Sequence, residues 1–424
     1  MRIDTLTLKN FNGFETRQLT FDPHFNLLVG DNASGKTTIL DALYVAIGSW
    51  FLGMRGGARP SSIGEDYVRL ITRRYLDSYS FEKQFPCEVK ATGLVMGESA
   101  SWTRTLNGEN GRTTSLAAKA ISDLGKEADD RLRADGEVVL PLICTFGTER
   151  LWFESSHRTS KKAETAKKQL PSRLDGYKDC INFEIQESQL LTWIKTQYLA
   201  SYALKEETIA LGVVKRAIMR CLEGVTAVDF DPRTEDLVLT MDIGGTQVFR
   251  NLSDGQRIML TLVGDLARRA TTLNPQLGNR VLDEISGVVS IDELDLHLHP
   301  KWQRRVIRDL KGTFPSLQFI ATSHSPQLIG EALPHEIIIL GAANSTNPSQ
   351  SFGMDSNWVL KHIMGAEERD NRIRAAIESI ERHIAAGNLK LAASDLAKVR
   401  SEIGNDPNFV RFGARIDRFE RARQ

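Results

Sequence analysis

The sequence predicts an α/β fold: a head on a parallel sheet, interrupted by a compact α+β insert and followed by a C-terminal helical appendage. Three observations carry this. The segment Gly30-Asp31-Asn32-Ala33-Ser34-Gly35-Lys36-Thr37-Thr38 stands between an apolar strand and an apolar helical run. The apolar run Val288–Ile291 ends in two adjacent carboxylates, Asp292 and Glu293. The apolar run Leu317–Thr322 ends in Ser323-His324-Ser325-Pro326.

The chain has 424 residues, room for one large domain plus an appendage. Its 54 Lys and Arg balance 54 Asp and Glu, so bulk charge requires no nucleic acid, although a local basic patch stays open. No apolar run approaches the roughly 18–20 residues that cross a bilayer, and the start has no signal-peptide core. A cytoplasmic protein without membrane contact is expected. Cys87, Cys144, Cys180 and Cys221 lie far apart, which disfavours a disulfide scaffold or a zinc knuckle.

Met1–Leu8 alternates and reads as a strand, with Leu19–Phe21 a second and Phe25–Val29 a third, more apolar one. Strand, GxxxxGK[ST] and helix in succession make a P-loop. Gly30 and Gly35 let the backbone curl so that its N–H groups face phosphate oxygens. The helix beginning near Gly35 adds the positive end of its dipole. Lys36 reaches the β- and γ-phosphates, and the Thr37 hydroxyl completes a Mg²⁺ shell. The expected ligands are ATP and Mg²⁺, with Gly30, Asn32, Ser34, Gly35, Lys36, Thr37 and Thr38 forming the cradle.

Phe85–Val95 and Ser101–Leu106 read as strands, Leu116–Arg133 as a helix, and Val138–Phe146 as a strand leading to Gly147-Thr148-Glu149-Arg150. Ser155–Ser172 is polar and basic. Its Arg158, Lys161, Lys162, Lys167 and Lys168 fit a DNA contact or a plain solvated loop equally well. Gln186–Leu204 and Glu206–Leu222 read as helices, and Leu237–Met241 and Gln247–Arg250 as strands. No sustained heptads occur, so the insert is compact.

Leu252-Ser253-Asp254-Gly255-Gln256-Arg257 precedes a helix, with Ser253 as its N-cap. Asp292, at a strand end near the P-loop, suits Mg²⁺, and Glu293 is placed to orient and deprotonate water. Leu294-Asp295-Leu296-His297-Leu298-His299-Pro300 follows; its two histidines suggest a metal pair or an interface loop. After the strand Ile337–Leu340, residues 341–355 read as a linker. Asn357–Met364, Arg369–Ala386, Leu389–Ile403 and Asn408–Arg423 read as helices. Ile373, Ile377, Ile380 and Ile384 share a face, with Leu391, Leu396 and Val399 opposite. Acids interspersed among Arg411, Arg415, Arg418, Arg421 and Arg423 favour protein contacts there.

Taken in order, these motifs resemble the ABC-type ATPase heads of the SMC, Rad50, RecF and OLD group. LSDGQ is similar to the LSGGQ signature, VVSIDE to the Walker B strand and TSHSP to the H-switch. The resemblance covers residues 1–60 and 245–340, the expected head, leaving 61–244 as the insert and 356–424 as a helical docking region. It implies catalytic roles for Lys36, Glu293 and His324, with His324 sensing the γ-phosphate. It implies Mg²⁺ held by Thr37 and Asp292. It also implies that Ser253, Gly255 and Gln256 contact ATP bound by a second subunit, which Asp295 meets. One P-loop and one signature per chain then require at least a homodimer.

Two departures matter. Asp254 replaces the second signature glycine, and a carboxylate near a γ-phosphate is unfavourable unless it points away or pairs with a cation such as Arg257. No Q-loop glutamine is evident; Glu149 or Arg150 stands near its place. Both leave slow or lost hydrolysis open. The segments FGTERLW and LDGYKDCI and the helical tail narrow the resemblance to PtuA-type ATPases of prokaryotic antiphage defence, Septu and retron-associated. That implies an ATP-binding, ATP-hydrolysing sensor subunit controlling a separate HNH-type (PtuB-like) nuclease through nucleotide-dependent head dimerisation. The alternatives are a RecF-like repair ATPase acting directly on DNA and a non-hydrolysing nucleotide-gated scaffold. The tail lacks Toprim-like strands and carboxylates, so the chain is not expected to be a nuclease itself.

Overall fold

The three apolar runs lie together in one sheet. The computed structural model describes residues 1–134, 136–148, 170–181, 187–341, 345–366, 369–404 and 406–421. Across the sheet the order is Ser345–Thr346, Ile337–Leu340, Phe25–Val29, Leu317–Thr322, Gly287–Ile291 and Leu142–Phe146. All but the edge strand Ser345–Thr346 run parallel. Every residue of the four strands from Phe25–Val29 to Leu142–Phe146 is buried. Burial on both faces is why they read as unbroken apolar runs. Thr322 pairs with Leu28, and Ile291 with Ala321 and Phe146, so the chain leaves these strands at one edge of the sheet.

A second, antiparallel sheet orders Phe14–Thr20, Arg2–Phe11, Cys87–Val95 and Glu98–Leu106. The helix Lys36–Gly48 packs on it, and Trp102 Nε1 donates to Ala46 O at 3.0 Å. This helix buries Ile39, Leu40, Ala42, Leu43, Val45, Ala46 and Ile47, so most of its circumference is enclosed. Segment 61–244 is therefore interleaved with the head and not a separate lobe. It supplies two strands to the antiparallel sheet and Leu142–Phe146 to the parallel one. Residues 345–355 are also tied down: Thr346 pairs with Ile339, and the buried Ser351 hydroxyl donates to Ala332 O at 2.7 Å.

The strand expected at Val138–Phe146 begins only at Leu142, because Pro141 has no N–H for the ladder. The helix expected from Glu206 begins at Ile209, where the Thr208 hydroxyl accepts from Leu211 N. Three strands, Val225–Asp231, Asp236–Met241 and Thr246–Val248, form a small sheet before the signature helix Asp254–Leu273. Leu70–Tyr75 and Ser78–Lys83 form an isolated two-stranded ribbon. It is not predicted from sequence, because neither of its faces is buried and no alternation results. Glu149, Arg150 and the basic residues Arg158, Lys161, Lys162, Lys167 and Lys168 lie outside the described residues.

Residues 357–424 form a second compact unit. Asn371–Ala385, Leu389–Ile403 and Pro407–Arg421 close around Ile380, Ile384, Leu389, Ala392, Leu396, Val399, Phe409 and Ile416. Ile373 and Ile377 pack against this core, as expected, but Leu391 does not join it. Leu391 is 54% exposed, and Ala392 turns inward instead. Asp370 caps the first helix by accepting from Arg372 N, and Arg369 binds both oxygens of Asp406. Arg423 lies outside the described residues.

Candidate functional site

The P-loop explains its own glycines. Gly35 has φ +91°, and a Cβ there would lie 2.3 Å from the Phe14 ring. A Cβ on Gly30 would lie 2.7 Å from Ser34 Oγ and 3.1 Å from Leu340 O. The loop is thus wound tightly over Phe14, whose ring is in turn covered by the Arg17 guanidinium at 4.8 Å. Arg17 also donates to Gly341 O at 2.8 Å. Lys36 curls back over the loop, its Nζ donating to Gly30 O at 2.7 Å and Asp31 O at 2.9 Å. Burial lowers the lysine pKa, while Asp292, Asp31 and Glu293 oppose that shift. Among the described residues the buried Ser34 hydroxyl finds no hydrogen-bond partner. A tight cradle, an orphaned hydroxyl and a cation held on weak carbonyl acceptors fit a polyphosphate.

Beside the cradle stands Asp292. Its Oδ2 accepts from the Thr37 hydroxyl at 3.2 Å and its Oδ1 from the Thr322 hydroxyl at 2.6 Å. One carboxylate and one hydroxyl suit Mg²⁺, which keeps waters and phosphate oxygens in its remaining positions. Thr322 Oγ1 also accepts from Glu293 N at 2.7 Å. This single hydroxyl therefore fixes both acidic residues relative to the strand Leu317–Thr322. Glu293 sits at φ +48°, a left-handed conformation that turns the chain sharply off its strand. Leu294 N then donates to Thr322 O at 2.9 Å, holding the turn down. His324 follows two residues after Thr322, at the same edge of the sheet.

Thr322→Val is expected to lower phosphate release about tenfold or more and to cost about 2 kcal/mol of stability, because two buried polar groups lose their partner. Steady-state turnover and urea melts check both effects.

The signature residues form a separate cluster. Ser253 caps the helix Asp254–Leu273 in a box with Gln256: its Oγ accepts from Gln256 N, and Gln256 Oε1 accepts from Ser253 N at 3.0 Å. Ser253 and Asp254 are exposed. A Cβ on Gly255 would lie 2.7 Å from His297 O, so the glycine admits the loop that follows Glu293. Asp254 does not take Arg257 as its partner. The Arg257 guanidinium binds Glu187 at 2.7 Å and lies over the Phe249 ring. Asp254 instead sits in the helix's first turn, where a carboxylate favours the dipole. A double-mutant cycle on Arg257→Ala and Glu187→Ala, read by urea melts, is expected to give a coupling of about 1 kcal/mol.

Of the remaining candidates, Asn32 is exposed and Thr38 half-buried within the loop and first helical turn. Among the described residues the buried Asp295 Oδ1 finds no hydrogen-bond partner. His299 Nδ1 accepts from Lys301 N, so this histidine caps the short helix after it. Among the described residues no group of three or more His, Cys, Asp or Glu is placed to hold a metal.

Two residues of the site are absent from the sequence-based set. One is Thr322. The other is Asp41, one turn beyond Thr37 on the same helix face. Burial, reinforced by Asp292 and Asp66, pushes its carboxyl up to about 6. Its spacing of four from Thr37 was the available signal. An open cavity of about 760 Å³ lies elsewhere, lined by Ser286, Pro315, Ser316 and Gln318 where the parallel strands begin. It takes no part in this constellation.

Two AAA-domain family models match the chain, over residues 5–209 and 228–330. The chain is 27% identical to the Retron Ec83 probable ATPase of Escherichia coli, over 87% of this chain and 77% of that protein. It is 24% identical to the Septu protein PtuA of Bacillus thuringiensis, over 86% of this chain and 85% of that one. The SMC head domain from Thermotoga maritima superposes with a TM-score of 0.44 at 16% identity, over 82% of this chain and 98% of that one. P-loop, acidic strand end and capped signature helix stand on the expected elements, and the sequence matches run through them. Over most of its length the chain is thus similar in sequence to retron and Septu ATPases, and the models it matches are AAA domains.

Proposed function

We propose that the chain is the ATP-binding and ATP-hydrolysing subunit of a prokaryotic antiphage defence complex in the cytoplasm. In this reading two heads pair on nucleotide and so control a separate HNH-type, PtuB-like nuclease. The observation that carries it is the division of the site. Lys36, Thr37, Asp292, Glu293 and Thr322 form one half. The exposed N-terminus of the signature helix at Ser253 forms the other and is open to a second copy. The retron and Septu relatives support the defence setting. Among the described residues no helix is long and apolar enough to cross a membrane.

Mechanistically, Lys36 exchanges the carbonyls of Gly30 and Asp31 for phosphate oxygens. Thr37 and Asp292 would hold Mg²⁺, which would supply charge neutralisation on the phosphates. Glu293 accepts a proton from the attacking water, and His324 hydrogen-bonds the γ-phosphate. Ser253 and Gln256 of the second copy close over the nucleotide, and each ATP then stabilises the closed pair.

The test is phosphate release with Mg²⁺-ATP, with and without duplex DNA, beside mass by light scattering with and without ATP. Turnover with an ATP-dependent doubling of mass supports the reading. Strong DNA stimulation in the absence of any nuclease supports direct action on DNA, as in RecF-like repair. Binding without turnover sinks the hydrolytic step and leaves a nucleotide-gated scaffold.

A further inference from the structure

We propose that the ribbon Leu70–Lys83 binds single-stranded nucleic acid by stacking bases on Tyr79 and Phe81. This site is apart from the nucleotide pocket and does not rest on the nuclease-control reading. In an antiparallel pair, directly opposed residues project to the same face. The register therefore puts Leu70 and Lys83, Thr72 and Phe81, and Arg74 and Tyr79 on one face. The other face carries Ile71 and Glu82, Arg73 and Ser80, and Tyr75 and Ser78.

The first face combines what a single strand needs. Phe81 is 62% exposed, Tyr79 60% and Leu70 52%. Isolated two-stranded ribbons are marginal in water, so a bare aromatic face of this kind gains stability when it is covered. Its charges are cationic. Lys83 is neutralised by Glu65 at 2.5 Å, whereas Arg74 enters no ion pair among the described residues. The ribbon's two acids, Asp77 and Glu82, lie in the turn and on the opposite face. An unneutralised arginine beside two open rings suits a polyanion that also offers flat apolar surfaces.

Spacing supports the same occupant. Residues two apart on a strand are roughly 6.6–6.8 Å apart, about twice the 3.4 Å rise between stacked bases. The two rings can hold one base between them or take successive bases of an extended strand. A duplex keeps its base faces inside its own stack and cannot use them.

Fluorescence anisotropy with a labelled oligothymidylate, beside a duplex of equal length, tests this on the full chain. Tighter binding of the single strand is expected. Tyr79→Ala with Phe81→Ala is expected to weaken it about tenfold or more. Arg74→Ala should reduce the salt slope by about one. Tyr79→Trp should keep binding, and Tyr75→Ala, on the opposite face, should leave it unchanged. All these positions are exposed, and retained ATP binding confirms that each variant is folded. Failure to bind the single strand, or binding that survives the double substitution, overturns the proposal. If the double variant instead loses self-association while single-strand binding persists, the face belongs to a protein contact and the proposal fails.

Discussion

Glu293→Gln is expected to leave ATP binding nearly unchanged and to cut phosphate release about a hundredfold or more. The magnitude is what positioned general bases contribute. The amide keeps the size of the carboxylate but cannot take up a proton. It also keeps the backbone N–H that donates to Thr322 Oγ1, so the left-handed turn at this residue is preserved. Asp292 retains both of its hydroxyl donors, Thr37 and Thr322, so the metal position is not disturbed. Binding by isothermal titration and turnover by phosphate release separate the two effects. Turnover equal to that of the unaltered chain would remove Glu293 as the base and direct attention to His324, at the same edge of the sheet.

Gly35→Ala is expected to abolish measurable ATP binding and to destabilise the head by about 2–4 kcal/mol. Two terms add. A side chain at φ +91° costs about 1 kcal/mol or more. The new methyl would lie 2.3 Å from the Phe14 ring, and overpacking of that kind costs about 1–3 kcal/mol. The loop can escape only by lifting from Phe14, which moves the N–H groups that face the phosphates. Adding Phe14→Leu should recover part of the stability, because it relieves the clash but not the backbone strain. Urea melts of the single and double variants read this directly. Full recovery in the double variant would show that the ring alone dictates the glycine.

The sequence announces residues whose chemistry leaves little choice of identity or spacing. Gly30, Asp292 and Glu293 follow strand ends and Lys36 and Thr37 open the first helix, in a fixed order, and apolar strands buried on both faces mark where those ends are. Strand Leu317–Thr322 and helix Leu389–Ile403 were legible to the residue, the latter because Asn388 and Gly404 punctuate it. What escaped depends on partners distant in the chain. Thr322 is an ordinary last residue of a strand until Asp292, thirty positions earlier, accepts its hydrogen bond. Phe14 and Arg17 support a loop they precede by a dozen residues or more, and nothing local to them says so. Arg257 looked like a partner for Asp254, three residues away, yet Glu187 from another helix takes it. The ribbon Leu70–Lys83 was invisible for a different reason: the patterns that reveal strands record burial, and this one has almost none.

The close approach at Gly255 has a consequence for communication. Backbone meets backbone there, with no side chain between the signature turn and the His297 carbonyl to absorb a displacement. His297 lies four residues beyond Glu293, so a shift of the turn would be passed to the acidic strand end as by a stiff lever. In a symmetric pair of heads, that lever would have one arm in its own pocket and the other against its neighbour's nucleotide. Filling the first pocket would then raise the affinity of the second, and ATP would act as an all-or-none signal whose threshold is set by nucleotide level and not by turnover speed.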